Sequence, residues 1–273
     1  MFMNVVEELN KARDEKYAIG AFNTNNLEVT KAICAAAKEC NTPVIIQVTP
    51  GAIEYAGLEE IFDIVKNEIE QTGVEAAIHL DHAKDFETIR EAIEAGFRSV
   101  MIDGSTLSFE ENVALTKKVA DFAHQKNVSV EGEIGTLGKE GEDNSEINSN
   151  YSKPDEVVKF VELTGIDSVA VSVGNMHGAP EGEKLNLELL KEIASKISVP
   201  LVLHGSSGLS EEDIMGAREI GVTKINVDTA IRQEFIDSLQ DIPEGTDDYR
   251  DIFKTSMEAI KNLVIEKIKL FKS

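Results

Sequence analysis

Eight short apolar runs alternate with helical patterns from one end of the chain to the other, and that alternation leaves few folds open. The runs are Tyr17–Phe22, Pro43–Val48, Ala76–Leu80, Arg98–Ile102, Val128–Glu133, Ser168–Val173, Pro200–Leu203 and Thr223–Val227. Their apolar content is nearly continuous, as in parallel strands covered on both faces. Between them Leu27–Cys40, Leu58–Gln71, Asp85–Ala95, Phe109–Gln125, Pro154–Thr164, Leu187–Lys196, Glu211–Ile220 and Thr229–Leu239 read as helices. Pro154 suits a first helical turn and Gly165 stops that helix. Met1–Arg13 and Asp251–Phe271 read as extra helices at the two ends. The expected fold class is α/β, a (β/α)8 TIM barrel with additional N- and C-terminal helices, forming one domain over residues 1–273. Hydrophobic residues make up 42% of the chain, enough for a core of that size. A doubly wound open sheet is the competing architecture. It usually needs a glycine-rich turn after the first strand, and Ala21–Asn26 holds no glycine.

A barrel of this kind takes its catalytic residues from the carboxyl ends of its strands. His82 follows the third strand, His177 the sixth and His204 the seventh. Asp103 ends the fourth, Glu133 the fifth, and Asn226 and Asp228 the eighth. A lone histidine is more often structural. Three at matching positions on one rim point instead to a catalytic metal centre, because neutral imidazoles with one open position are a common zinc environment. His79, inside the third strand, and His124, on a helix, serve as controls and are given no role. Gly205-Ser206-Ser207-Gly208 and Val227-Asp228-Thr229 each lead into a helix, where backbone amides can take a phosphate. Gly178 could add another amide. By itself the Gly-Ser-Ser-Gly turn reads equally well as an ordinary turn. The longest irregular stretch is Gly135–Lys153, and a loop of that length in a compact domain is usually functional or disordered.

Lys and Arg total 27 against 50 Asp and Glu, a formal charge of −23. That balance argues against nucleic acid and anionic membrane as partners. It also means that an anionic substrate needs local positive features. Cys34 and Cys40 fall on different faces of one helix and are not expected to bridge, which fits a reducing compartment. The N-terminal segment lacks the apolar core of a signal peptide, and no run is long enough to span a bilayer. A cytoplasmic location is expected.

In order and combination, Gly20-Ala21-Phe22-Asn23, Thr49-Pro50-Gly51-Ala52, Leu80-Asp81-His82, Met101-Ile102-Asp103-Gly104-Ser105, Glu131-Gly132-Glu133-Ile134-Gly135, His177-Gly178, His204-Gly205-Ser206-Ser207-Gly208 and Asn226-Val227-Asp228-Thr229 form a specific pattern. It resembles the class II, zinc-dependent fructose-bisphosphate and tagatose-bisphosphate aldolases over nearly the whole chain. The resemblance implies that His82, His177 and His204 hold Zn2+, or Co2+ or Fe2+ in its place, and that Asp103 and Glu133 belong to an alternative or second metal position. It implies Asp81 as the acid/base at the C4 hydroxyl. A purely supporting role for Asp81 beside a ligand histidine stays open. Asn23, Thr49, Gly178, Gly205, Ser207, Asn226, Asp228 and Thr229 would surround the phosphorylated substrate, with a Na+ or K+ ion near Gly178 and Gly205. A second acid is expected on the loop after the fifth strand. Glu142 is the choice and Glu140 the alternative, with ordinary solvated carboxylates as the competing reading of both. A homodimer or homotetramer is implied as well.

The chemistry is coherent. Cleaving the C3–C4 bond of a ketose leaves negative charge that a divalent Lewis acid absorbs, while a carboxylate removes the C4 hydroxyl proton. Three positions depart from the family pattern. Ser206 stands where a glycine is usual, and Glu181 where a lysine is usual, with Lys184 nearby. Met257 precedes Glu258-Ala259-Ile260-Lys261, where the bisphosphate enzymes carry an arginine for the distal phosphate. Methionine cannot replace a bidentate guanidinium. A preference for a ketose 1-phosphate or an altered bisphosphate is therefore expected. Three other readings compete: a Schiff-base aldolase, for which no strand end supplies a lysine; a metal-dependent hydrolase; and a non-catalytic phosphosugar sensor.

Overall fold

The computed structural model describes residues 2–136, 151–178, 184–240, 245 and 247–272, together with the backbone alone of 138–139; at 177, too, only the backbone is described. The strands are β1 (Ile19–Asn23), β2 (Val44–Val48), β3 (Ala76–Ala83), β4 (Ser99–Ile102), β5 (Ser129–Ile134), β6 (Gly138–Lys139), β7 (Ser168–Val171), β8 (Met176–His177), β9 (Leu201–Leu203) and β10 (Val222–Val227). Eight of them close a parallel barrel in the order β1-β10-β9-β7-β5-β4-β3-β2, so each strand lies beside the next barrel strand in the chain. The seam closes where Ile19 of β1 registers with Lys224 of β10. Short β6 and β8 pair apart from the barrel, on the side where β5 and β7 end.

Ten helices match the expected segments: α1 (Val5–Glu15), α2 (Leu27–Cys40), α4 (Leu58–Thr72), α5 (Phe86–Ala95), α6 (Phe109–His124), α7 (Pro154–Thr164), α8 (Leu187–Lys196), α9 (Glu211–Ile220), α10 (Thr229–Ser238) and α11 (Tyr249–Lys272). Their starts are set locally. Asn26, Asp85, Ser108 and Ser210 each accept a backbone N–H of the first turn, and Ser108 with Glu111 forms a reciprocal capping box. One helix, α3 (Pro50–Ala56), was not expected. Its signal is present in the sequence: Thr49 caps it through Oγ1, and Pro50 opens it.

The barrel strands are buried on both faces, and the helices press their apolar stripes against them. The C-terminal helix packs on its own barrel and on α2. Ile260, Val264, Ile268 and Phe271 are buried there, each contributing about 1.5–3 kcal/mol. The Phe271 carbonyl also accepts the Ala18 amide at 2.9 Å, tying the chain's end to the start of β1. Cys34 is buried, Cys40 half-buried, and both are free thiols. Among the described residues no helix is long and apolar enough to cross a membrane.

Candidate active site

The third strand runs further than its apolar run suggests and takes Asp81 and His82 with it. Between Leu80 and Ala83 the register against β4 slips: three steps along β3 oppose two along β4. In a regular strand, adjacent side chains point to opposite faces. A bulge breaks that rule, and here it lets both Asp81 and His82 face the barrel mouth. The cost is visible at His82, whose φ is +56°, a left-handed conformation uncommon for residues other than glycine. Strain of this kind is held by its surroundings and marks sites where geometry is functional.

The mouth holds one pocket lined by Asn23, Thr49, Asp81, His82, Gly178, His204, Gly205, Ser206, Ser207, Asn226, Asp228, Thr229 and Arg232, with a volume of about 480 Å³. All eight residues expected around substrate line it. Asp81 is clamped from two sides: Asn23 Nδ2 donates to Oδ2 at 3.0 Å, and Asn226 Nδ2 to Oδ1 at 3.2 Å. Asn23 is itself held by Gln47 Nε2, which donates to its Oδ1 at 2.7 Å. Burial pushes the Asp81 carboxyl up, but the positive charge of His82, with His204 and Lys224, outweighs it and brings it to about 2. Asp81 is therefore a buried, ionised and oriented base.

His82 Nε2 and His204 Nδ1 stand 2.8 Å apart, their rings edge to face. Asp81, His82 and His204 form one group whose ligand atoms share a common space; His82, Asp103 and Glu133 form a second. The second is built on His82 Nδ1, 3.5 Å from Asp103 and 3.9 Å from Glu133. Burial lowers the His82 imidazole, yet Asp81, then Asp103 and Glu133, lift it to about 10. Burial raises Asp103, but hydrogen bonds from His82 and Ser105 hold it below the usual carboxylate range. Glu133 is raised by burial, helped by Asp103 and Glu131, to about 8, and its Oε2 has no hydrogen-bond partner. Three carboxylates around two imidazoles, one carboxylate oxygen orphaned, are a donor set that fits a divalent cation, whose charge would favour ionised carboxylates and neutral imidazoles.

His177 lies in β8, and its neighbours bring that strand against the mouth. Gly178 follows with φ +96° and lines the pocket. Fully buried Asn175 donates from Nδ2 to the His204 carbonyl at 3.0 Å and accepts the Val173 amide at 2.8 Å. Asn175 thus ties the chain before His177 to the end of β9, a connection not foreseen from sequence. Glu142 and Glu140, like Glu181, lie outside the described residues. Lys184 does not line the pocket. Ser206 turns its Oγ away to donate to the Asn226 carbonyl at 2.6 Å, so the extra side chain braces β10. Met257 is half-buried and packs against the core. Arg232, overlooked in the sequence, lines the pocket, the one arginine or lysine to do so among the described residues; it pairs at 3.0 Å with Asp228, the residue before α10. Burial raises the Asp228 carboxyl despite that partner. The controls behave as structural residues: His79 Nδ1 lies 2.7 Å from Ser99 Oγ, and His124 pairs with Asp167 at 2.9 Å.

Fold and pocket together define a class: a (β/α)8-barrel enzyme with a metal-capable cluster of imidazoles and carboxylates at the carboxyl rim. Residues 3–273 match the family model described as fructose-bisphosphate aldolase class-II. The chain belongs to that family, which is metal-dependent. It is 42% identical to a fructose-bisphosphate aldolase of Staphylococcus aureus (strain Mu50 / ATCC 700699), over 98% of this chain and 96% of the relative. It is 41% identical to one from Geobacillus stearothermophilus, over 99% and 97%. Among solved structures, the YdjI aldolase from Escherichia coli K12 superposes with a TM-score of 0.88 at 34% identity, covering 100% of this chain and 98% of that one.

Proposed function

We propose that this protein is a zinc aldolase that reversibly cleaves a phosphorylated ketose, of the fructose or tagatose 1,6-bisphosphate type, into dihydroxyacetone phosphate and an aldehyde such as glyceraldehyde 3-phosphate. The observation that carries this reading is an ionised Asp81, clamped by two amides, in one pocket with the close His82–His204 pair. His82, His177 and His204 are read as ligands of the ion, with Asp103 and Glu133 as its alternative position. When bound, the ion supplies Lewis acidity that offsets negative charge developing on the ketose oxygens.

The remaining work falls to the chain's own groups. Asp81 accepts the C4 hydroxyl proton, and Asn23 and Asn226 keep its oxygens aimed. The C1 phosphate is assigned to Gly178, Gly205, Ser207 and Thr229, at the start of α10, where Asp228 makes no side-chain cap and the helix N-terminus favours an anion. Glu142, or alternatively Glu140, is assigned the proton returned to carbon. Arg232 is assigned the distal phosphate, since it lines the pocket while position 257 offers no charge. Met257 favours a second reading, in which the substrate is a ketose 1-phosphate. A monovalent cation near Gly178 and Gly205, a cytoplasmic location and a homodimeric or homotetrameric state complete the proposal.

The test is a coupled assay of metal-replete protein on fructose 1,6-bisphosphate, tagatose 1,6-bisphosphate and fructose 1-phosphate, repeated after EDTA. Cleavage to dihydroxyacetone phosphate, lost on chelation and regained with Zn2+ or Co2+, is expected. Full activity in EDTA, or trapping by borohydride, would overturn the metal mechanism. A bisphosphate preference of about a hundredfold in kcat/KM, or ~2.7 kcal/mol, would exclude the 1-phosphate reading.

A further inference from the structure

Barrel interiors are usually filled by branched apolar side chains. Beneath the pocket this one holds a lysine and a glutamate instead, Lys224 of β10 and Glu131 of β5, 1% and 2% exposed. Lys224 Nζ donates to Glu131 Oε2 at 2.8 Å. Glu131 Oε1 lies 2.8 Å from His204 Nε2. An ionised carboxylate only accepts, so the hydrogen of this bond sits on Nε2, and the lone pair of His204 sits on Nδ1. That Nδ1 is the atom facing His82. A buried ion pair is a poor device for stability, because apolar residues of similar volume usually do as well or better. The three groups nevertheless form an unbroken line from the barrel's interior to its mouth.

We propose that Lys224 is a positioning residue for the metal centre: by saturating one oxygen of Glu131 it fixes the other on His204, and so sets that imidazole's rotamer and tautomer with Nδ1 presented at the rim. The proposal rests on the reading of His204 as a ligand. Outer partners of ligand histidines typically carry 10–100-fold of metal affinity. Lys224 would reach the metal at one remove further, through Glu131. Lys224 does not line the pocket, and its ammonium donates to a carboxylate below it, a placement unlike that of a Schiff-base lysine.

The experiment measures Co2+ affinity of the full chain by chelator competition, together with the visible d–d spectrum, for wild type, Lys224→Met, His204→Ala and the double variant Glu131→Leu/Lys224→Met. Lys224→Met is expected to weaken Co2+ binding by about 10–100-fold and to alter the spectrum. The double variant, which leaves no charge unpaired, is expected to recover the urea midpoint of the metal-free protein but not the affinity. A purely structural role would move the urea midpoint alone. Should Lys224→Met fail to fold, the double variant decides by the same two readouts. Wild-type affinity and spectrum in whichever variant folds overturn the proposal. Wild-type affinity in His204→Ala instead overturns the underlying ligand assignment, so the two failures are told apart.

Discussion

Replacing Gly205 with alanine strikes the point where the segments carrying His177 and His204 meet. Gly205 follows His204 and has φ +60°. A Cβ there would stand 2.2 Å from the Met176 carbonyl oxygen, 2.7 Å from its carbon and 3.1 Å from its nitrogen. Ordinary carbon contacts begin at about 3.5 Å, so one chain must move by roughly 1 Å. All three obstacles are backbone atoms, and none can rotate aside. The left-handed backbone adds about 1–2 kcal/mol for a residue with a Cβ, and displacement inside a packed region about 1–3 kcal/mol. The expected loss is ~2–5 kcal/mol of stability, read from urea unfolding of the metal-free protein. Function should suffer further, because Met176 immediately precedes His177 and a site of this kind tolerates only about 0.5 Å of error. Co2+ affinity, by chelator competition, is expected to fall at least about tenfold. A Gly205→Ala protein with wild-type midpoint and wild-type affinity would refute the close approach of β8 and β9 as the device that registers the rim.

Other perturbations separate the roles assigned to the pocket. Asp81→Asn sets an amide against the Asn23 and Asn226 donors and removes the base; kcat is expected to drop by about 10²–10⁴ with KM little changed, and a drop below tenfold would dismiss Asp81 as the proton acceptor. Arg232→Ala should lower kcat/KM for fructose 1,6-bisphosphate by about a hundredfold and leave fructose 1-phosphate nearly untouched; equal effects on both would move the distal phosphate elsewhere. Stability should also carry an alkaline limb. Burial, with Glu68 nearby, pushes the Cys34 thiol from 9.0 to about 12, so the unfolded chain loses its proton first. The stabilisation is intact below about pH 9 and declines as pH rises towards 12. Tyr17, raised by burial to about 12, adds to the same decline above pH 10. Urea midpoints across that range should fall less steeply in Cys34→Ala, and an unchanged slope would contradict the burial argument.

The sequence by itself determined what is local. Buried parallel strands must be apolar runs, so all eight barrel strands could be placed; Pro154 and Gly165 bounded Pro154–Thr164, and apolar periodicity gave Leu27–Cys40, Leu187–Lys196 and Glu211–Ile220 to the residue. Once eight strand–helix units imply a barrel, the residues at the strand ends fall on one rim, which is why His82, His204 and Asn226 could be named beforehand, whereas Asp81 was named from the family resemblance. Tertiary structure alone decided what depends on neighbours across the barrel. The slip between β3 and β4 that turns Asp81 and His82 to the same side is a relation between two strands, and neither strand's sequence states it. Arg232 looked like any helix-surface cation until α10 was set beside the mouth. Lys224 and Glu131 read as incidental charges until closure brought β10, β9 and β5 around one interior, with Lys224 on Glu131 and Glu131 on His204. Periodicity specifies which face a residue occupies, but only the closed barrel, bringing together groups far apart in the chain, specifies what that face meets.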